Sequence, residues 1–130
     1  MDRKIIEGIP NFSEGRDAGI LDAIAGALSG VPGALLLHRD SGRDTNRTVM
    51  TFAGEPDAVA EAAFRAIDTA SRLIDMRTQR GTHPRIGATD VFPLVPVTGV
   101  SREECIHIAR ALGRRVWEEL SIPVYLYAFA

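Results

Sequence analysis

The chain has 130 residues, 45% of them apolar and 25% charged, and its formal net charge is −2. This size and composition suit one domain over residues 1–130, and the slight negative charge excludes a general attraction to nucleic acid or an anionic membrane. A lone Cys105 excludes an intrachain disulfide, and since no apolar leader or membrane-length apolar run is present, we expect a cytoplasmic protein.

Hydrophobic periodicity predicts three elements in the first part of the chain. Residues 4–10 lean apolar and indicate a short strand, and the polar turn 11–16 follows it. Apolar side chains then recur at helical spacing from Ala18 to Ser29, which predicts an amphipathic helix. Gly30 and Pro32 end this helix, and the apolar run at 34–39 predicts a buried strand.

A hairpin and a long helix are predicted next. Residues 40–47 contain no apolar side chain and indicate a loop, and the β-branched and aromatic residues 48–53 indicate a strand that pairs back. Pro56 suits the first turn of a helix. The stripe that predicts this helix consists of Ala60, Ala63, Phe64, Ile67, Ala70 and Ile74.

The last part of the chain predicts a strand, a helix and a final strand. Residues 91–97 are apolar but contain two prolines, which favours an edge or bulged strand. Ser101 and Glu104 form a capping-box pattern before a helix that Pro123 ends. Residues 124–129 alternate as a last strand.

This order of elements predicts an α+β fold, namely a two-layer sandwich with a ferredoxin-like (split βαβ) core and an added C-terminal helix and strand. Right-handed crossovers make the first two strands antiparallel to the third and fourth. The turn at 11–16, the loop at 40–47 and the loop at 75–91 should therefore lie at one end of the sheet. These are the most polar loops of the chain, and such convergence is typical of a functional site.

The loop at 75–91 carries the densest set of chemically useful groups, with one histidine, three arginines, two aspartates and two glycines. His83 precedes Pro84, and a residue before proline is pushed out of helical geometry, so the imidazole stands on a restrained loop. Arg85 is close to His83 in sequence and could bind an anion beside it. An imidazole held in this way suits acid–base catalysis near neutral pH. The alternative is a capping histidine in an ordinary arginine-rich turn.

Four stretches carry a family resemblance. With them the chain closely resembles the N-terminal subdomain of the glutamate formiminotransferase family, over residues from about 7 to 127. The stretches are Pro10-Asn-Phe-Ser-Glu-Gly15, Asp44-Thr-Asn-Arg-Thr-Val49, Ala70-Ser-Arg-Leu-Ile-Asp-Met76 running into Gly81-Thr-His-Pro-Arg-Ile-Gly-Ala88, and Val124-Tyr-Leu-Tyr127.

The resemblance implies a transferase of histidine catabolism and one-carbon metabolism, which moves a formimino group from N-formimino-L-glutamate to tetrahydrofolate, a co-substrate. It implies that His83 is the catalytic histidine and that Asp40 orients it. An imidazole with an ordinary pKa of about 6.5 can take the proton that the folate nitrogen loses and give it to the departing amine. Arg85 and Arg47 suit the substrate carboxylates.

Other polar residues of these loops remain open to two interpretations. Asn11, Ser13 and Glu14 either bind substrate or cap the first helix, and Asp40 either assists His83 or forms a turn. No histidine pair has metal-ligand spacing, so we expect no metal.

Two departures from the family pattern bear on activity. The family usually has a glutamate where this chain has Thr82, next to the histidine. The family enzyme also has a second subdomain, and its folate site lies between the two. We therefore expect either a fragment of a longer enzyme or a free-standing chain that has a partner, which is a second copy in a homodimer or a separate second-subdomain chain. The alternative function is a stand-alone, non-catalytic folate- or protein-binding domain. An RNA-binding module is a weaker alternative, since no strand carries paired aromatics.

Overall fold

The structure is a computed structural model and describes residues 3–77 and 87–125. Within these ranges the chain forms six strands and three helices. In chain order they are β1 (Ile5–Gly8), β2 (Asn11–Phe12), α1 (Ala18–Ser29), β3 (Ala34–Gly42), β4 (Arg47–Gly54), α2 (Pro56–Leu73), β5 (Thr89–Val91), β6 (Leu94–Thr98) and α3 (Arg102–Leu120).

The strands form one sheet in which every pairing between described strands is antiparallel. β4 pairs with β3 on one side and with β1 and β2 on the other, and β6 and β5 lie beyond β1 and β2. Pro10 falls in the break between β1 and β2, and Pro93 in the break between β5 and β6. Hydrogen bonding continues across these breaks, because Ile9 N donates to Pro93 O at 3.0 Å and Met50 N donates to Pro10 O at 3.1 Å.

All three helices contribute to one hydrophobic core with the sheet, and α2 packs against both α1 and α3. Ile6, Phe12, Met50 and Phe52 are fully buried strand residues of this core. Alternate residues of β4 are buried, as expected for a strand that is covered on one face only. The helices and the antiparallel sheet confirm the α+β class.

The sheet face away from the helices is called the open face here. Glu7 lies opposite both Ala53 and Val95, and Ala53 lies opposite Leu35, so these four residues form one row across four strands. Leu35 is 64% exposed and Val95 is 40% exposed. The open face therefore presents apolar side chains to solvent.

The helix ends follow the sequence signals. α1 has the predicted bounds, and its N-cap is Asp17, whose side chain accepts from Ile20 N at 3.1 Å. The predicted capping box of α3 is confirmed, since the Ser101 side chain accepts from Glu104 N and the Glu104 side chain accepts from Ser101 N.

Several predicted element bounds were wrong. Half of the predicted loop at 40–47 is strand, because the backbone of Asp40 to Gly42 pairs with β4 although the side chains there are polar. The predicted turn at 11–16 begins as β2, and the predicted strand at 91–97 is split by Pro93. Val124 and Tyr125 are not in a strand, and the rest of the predicted last strand lies outside the described residues.

Candidate active site

Described parts of the three polar segments meet at one end of the sheet, as predicted. Gly15 N donates to Asn46 Oδ1 at 2.8 Å, which joins the segment after β2 to the β3–β4 turn. Ser13 N donates to Ala88 O at 2.9 Å, which joins the same segment to residues returning from the histidine loop. The strand directions alone would bring these segments to the same end, and the hydrogen bonds hold them in contact.

Gly15 and Asn46 make the close approach between the first two segments. A Cβ on Gly15 would lie 2.7 Å from Arg47 N and would also overlap Gly42 O, so the position accepts only glycine without a shift of the backbone. Asn46 is buried and has a positive φ of 51°, a conformation that asparagine adopts more readily than most residues. This conformation lets the side-chain amide oxygen of Asn46 face Gly15 N.

Arg47, Asn11 and Asp90 form a polar cluster across β4, β2 and β5. The Arg47 guanidinium Nη2 donates to Asn11 Oδ1 at 3.2 Å and lies 3.0 Å from Asp90 Oδ2. The two charged side chains are only 14% and 10% exposed. Opposite charges at this distance and burial attract more strongly than a surface pair, so the Arg47 guanidinium is held in one place.

Ser13 and Glu14 direct their side chains into the protein. Ser13 is fully buried, and its hydroxyl donates to Gly87 O at 2.7 Å. Glu14 is 5% exposed, and its Oε2 accepts from Arg16 N at 2.9 Å and Asp17 N at 3.0 Å. Glu14 thus stabilises the turn before α1, whereas Asp17 caps the helix itself.

Asp40 lies on β3 opposite Val49, and Val49 lies opposite Asn11. Cross-strand partners share a face of the sheet, so Asp40 and Asn11 both lie on the open face at the loop end. Asp40 is exposed. The other predicted residues of this site, His83 and Arg85, lie outside the described residues, as does Thr82.

The described start of the histidine loop carries an ion pair. Arg77 Nε and Nη2 donate to the two carboxylate oxygens of Asp75, each at 3.0 Å. The Arg77 side-chain hydrogen bonds lower the pKa of Asp75 from its ordinary value, and a backbone hydrogen bond from Arg77 acts in the same direction. Both side chains are solvent-exposed, so this pair contributes little to stability.

The comparison with known proteins decides the family. A family model described as "Formiminotransferase domain, N-terminal subdomain" matches residues 5–130. The chain belongs to this family. It is 54% identical over 127 residues to the formimidoyltransferase-cyclodeaminase of Rattus norvegicus, which covers 98% of this chain and 24% of that protein.

Shorter relatives of this formiminotransferase subdomain are also similar over nearly the whole chain. The glutamate formimidoyltransferase of Thermoplasma acidophilum is 45% identical over 126 residues, covering 97% of this chain and 42% of the relative. That of Streptococcus pyogenes serotype M1 is 42% identical over 124 residues, covering 95% of this chain and 42% of the relative. The chain thus spans less than half the length of these curated relatives.

Two members of the polar region were not singled out from the sequence, namely Asn46 and Asp90. Asn46 carried a weak signal, because asparagine in a polar turn often takes a left-handed conformation. Asp90 carried none, since its ion pair with Arg47 depends on the pairing of β2 with both β4 and β5.

A cavity of about 590 Å³ lies between α3 and the β5–β6 edge, and its lining is mainly apolar. Among Asn11, Ser13, Arg47 and Asp90, only Asp90 lines it. In residues 3–77 and 87–125, no group of three or more histidine, cysteine, aspartate or glutamate side chains is placed to hold a metal ion. No described helix has the length and apolar character needed to cross a membrane.

Proposed function

We propose that this formiminotransferase subdomain supplies the acid–base half of a site that moves a formimino group from N-formimino-L-glutamate to tetrahydrofolate. The observation that carries the proposal is the convergence of three polar segments through the Gly15–Asn46 and Ser13–Ala88 hydrogen bonds. The names of the glutamate formimidoyltransferase relatives support a glutamate-derived substrate.

The proposed chemistry assigns His83 to the proton transfers. A tetrahydrofolate nitrogen attacks the amidine carbon, and His83 takes the proton that this nitrogen loses. The carbon–nitrogen bond to glutamate then breaks, and His83 returns the proton to the departing amine. One imidazole that titrates near neutral pH can act first as base and then as acid.

The proposed supporting roles follow the chemistry of each side chain. Asp40 orients His83 and favours its charged form, since a carboxylate near an imidazole stabilises the imidazolium. Arg85 and Arg47 bind the carboxylates of N-formimino-L-glutamate, and Asn11 contributes a polar contact beside Arg47. We propose tetrahydrofolate as co-substrate and no metal.

We further propose that the sheet is ferredoxin-like. The support is its strand order of β3, β4, β1–β2 and β6–β5, with α1 and α2 as the two crossover helices. As separate proposals, the chain forms one domain, and it acts in the cytoplasm.

We also propose that further protein completes the site, contributed by a second copy of this chain or by a second subdomain. Asp40 and Asn11 share the open face with the exposed Leu35 and Val95, so one face of the sheet carries both a polar row and an apolar row. The chain's span of 42% of the glutamate formimidoyltransferase relatives supports a need for further protein.

The test is formimino transfer by the purified chain, alone and mixed with the remaining part of a glutamate formimidoyltransferase. We expect transfer in the mixture and a loss of roughly 10²–10⁴ fold in the His83→Gln variant, the usual size of an acid–base contribution. His107→Gln makes the same chemical change at an exposed position on α3 and should leave turnover unchanged.

Two results would contradict the proposal. Near wild-type turnover in a well-folded His83→Gln variant would make His83 a structural residue. Tight binding of folate without any transfer would instead identify a non-catalytic binding domain.

A further inference from the structure

Ser13 fixes the residues that return from the histidine loop. Its backbone N–H donates to Ala88 O at 2.9 Å, and its hydroxyl donates to Gly87 O at 2.7 Å. One fully buried residue therefore bonds two consecutive carbonyl groups. The backbone bond would form with almost any residue at position 13, whereas the bond to Gly87 O requires a side-chain donor.

A second anchor acts on the same segment two residues later. Asp90 forms the 3.0 Å ion pair with Arg47, and Arg47 also donates to Asn11 at 3.2 Å. These contacts tie β5 to β2 and β4 through side chains that are at most 14% exposed. Breaking such a pair from one side leaves a poorly solvated charge, so the anchor resists displacement.

The distance along the chain links these anchors to the proposed catalytic histidine. His83 is four residues before Gly87, and four extended residues span at most about 14 Å. The anchored residues 87–90 therefore begin only four positions after His83 in the chain.

We propose that Ser13 and Asp90 are positioning residues, which fix residues 87–90 and thereby hold the C-terminal end of the segment that carries the proposed catalytic His83. This inference rests on the proposed function of His83. Under this inference Ser13 anchors the chain, whereas the sequence suggested that it binds substrate or caps a helix. Asp90, for which the sequence predicted no role, becomes the second anchor.

The first test follows the anchor itself by amide hydrogen exchange of the full chain, resolved by NMR. Ser13→Ala removes the bond to Gly87 O and should raise the exchange rates of residues 87–90 more than those of α1. Ile24→Val, a core change in α1 that costs stability without touching this segment, should not produce this local pattern. Unchanged exchange in residues 87–90 of the Ser13→Ala variant would overturn the inference.

The second test follows catalysis in the completed assembly. A displacement of about 1 Å can cost 10²-fold in rate, so we expect Ser13→Ala and Asp90→Asn each to lower kcat by about 10- to 100-fold. In the Ser13→Ala variant KM should change by less than about 2-fold, because displacement of an acid–base group acts on the chemical step. Ile24→Val should keep the wild-type kcat per folded molecule.

The two tests separate the failure of this inference from the failure of the proposed function. If the wild-type assembly transfers no formimino group, the proposed function fails, while the exchange rates still decide whether Ser13 anchors residues 87–90. If exchange rises locally but kcat per folded molecule stays at the wild-type value, the anchor exists without a positioning role, and the inference is overturned.

Discussion

The guanidinium of Arg115 on α3 lies 3.7 Å from the centre of the Phe64 ring on α2. The same guanidinium donates a 2.8 Å hydrogen bond to Glu61, one turn earlier on α2. A cation over an aromatic face and an ion pair thus act at one point of the α2–α3 contact. The Arg115 hydrogen bond is the main cause of a lowered pKa for Glu61, and Arg65 adds to it.

This lowered pKa predicts that the wild type is more stable than a Glu61→Gln variant by an amount that depends on pH. The folded protein binds the Glu61 proton more weakly than the unfolded chain does, in which this glutamate has its ordinary pKa of 4.5. The stabilisation is therefore present above that value and is lost as the pH falls through the folded pKa. We expect Glu61→Gln to lower the free energy of unfolding by about 0.5–1 kcal/mol at neutral pH, since the pair is partly solvated.

Urea unfolding at neutral and acidic pH measures this difference, which should shrink toward acid. Glu118→Gln is the control, because Glu118 is an exposed α3 glutamate that forms no ion pair with any residue in the described ranges. A difference for Glu61→Gln that is constant with pH would contradict the prediction.

Two glycine-to-alanine substitutions should change stability in opposite directions. Gly15→Ala places a methyl group 2.7 Å from Arg47 N, where only backbone movement can relieve the overlap, so we expect a loss of about 1–3 kcal/mol or more. Gly26 lies within α1, and no atom lies within 4 Å of a Cβ added there. Gly26→Ala should therefore stabilise the protein by about 0.5–1 kcal/mol.

Thermal and urea unfolding of both variants measure the two effects. Gly26→Ala also serves as the control for the added methyl group itself. Equal stability of the Gly15→Ala variant and the wild type would show that the contact of Gly15 with the β3–β4 turn is loose.

Cys105 should be unreactive in the folded protein. Its side chain is 3% exposed on α3, and burial raises the pKa of the thiol. The reactive species is the thiolate, so both effects slow attack on a disulfide reagent. We expect labelling of Cys105 to be slow in buffer and fast in denaturant. The absorbance of the thiol that the reagent releases measures the rate. Fast labelling of the folded chain would mean that α3 opens readily.

The open face should cause the isolated chain to self-associate. Leu35 and Val95 lie in one cross-strand row and remain exposed, and exposed apolar rows favour association. We expect a homodimer in light scattering, and a monomer after Leu35→Lys combined with Val95→Lys. Trp117→Lys removes an exposed apolar side chain on α3 and should leave the dimer intact. A monomeric wild-type chain at high concentration would contradict the prediction.

The sequence predicted the helices well because each has a local signal. The bounds of α1 follow from its apolar period and from the glycine after Ser29, and the start of α3 follows from the Ser101–Glu104 capping box. The end of β3 was missed because its residues are polar, although their backbone groups pair with β4 on a face open to solvent.

The candidate site was predictable in part. The convergence of its loops followed from the strand directions, which need only the order of elements. The Arg47–Asp90 ion pair did not, since it depends on which residue of β5 falls beside β2, and a bulge shifts that register. The sequence marks Ser13 as a polar loop residue, but its buried bond to Gly87 depends on where the ends of the loops lie in the fold.

The breaks at Pro10 and Pro93 separate β1 and β6 from the short strands β2 and β5, which contribute Asn11 and Asp90 to the site. The carbonyls of both prolines accept hydrogen bonds, so the short strands stay attached without extending the regular ladder below them. Substitutions at the polar positions Asn11 and Asp90 should therefore leave the packing of β1, β4 and β6 on the helices unchanged, whereas Phe12 of β2 belongs to the shared core. The two prolines thus let the polar end of the sheet be altered while the ladder beside the core keeps its register.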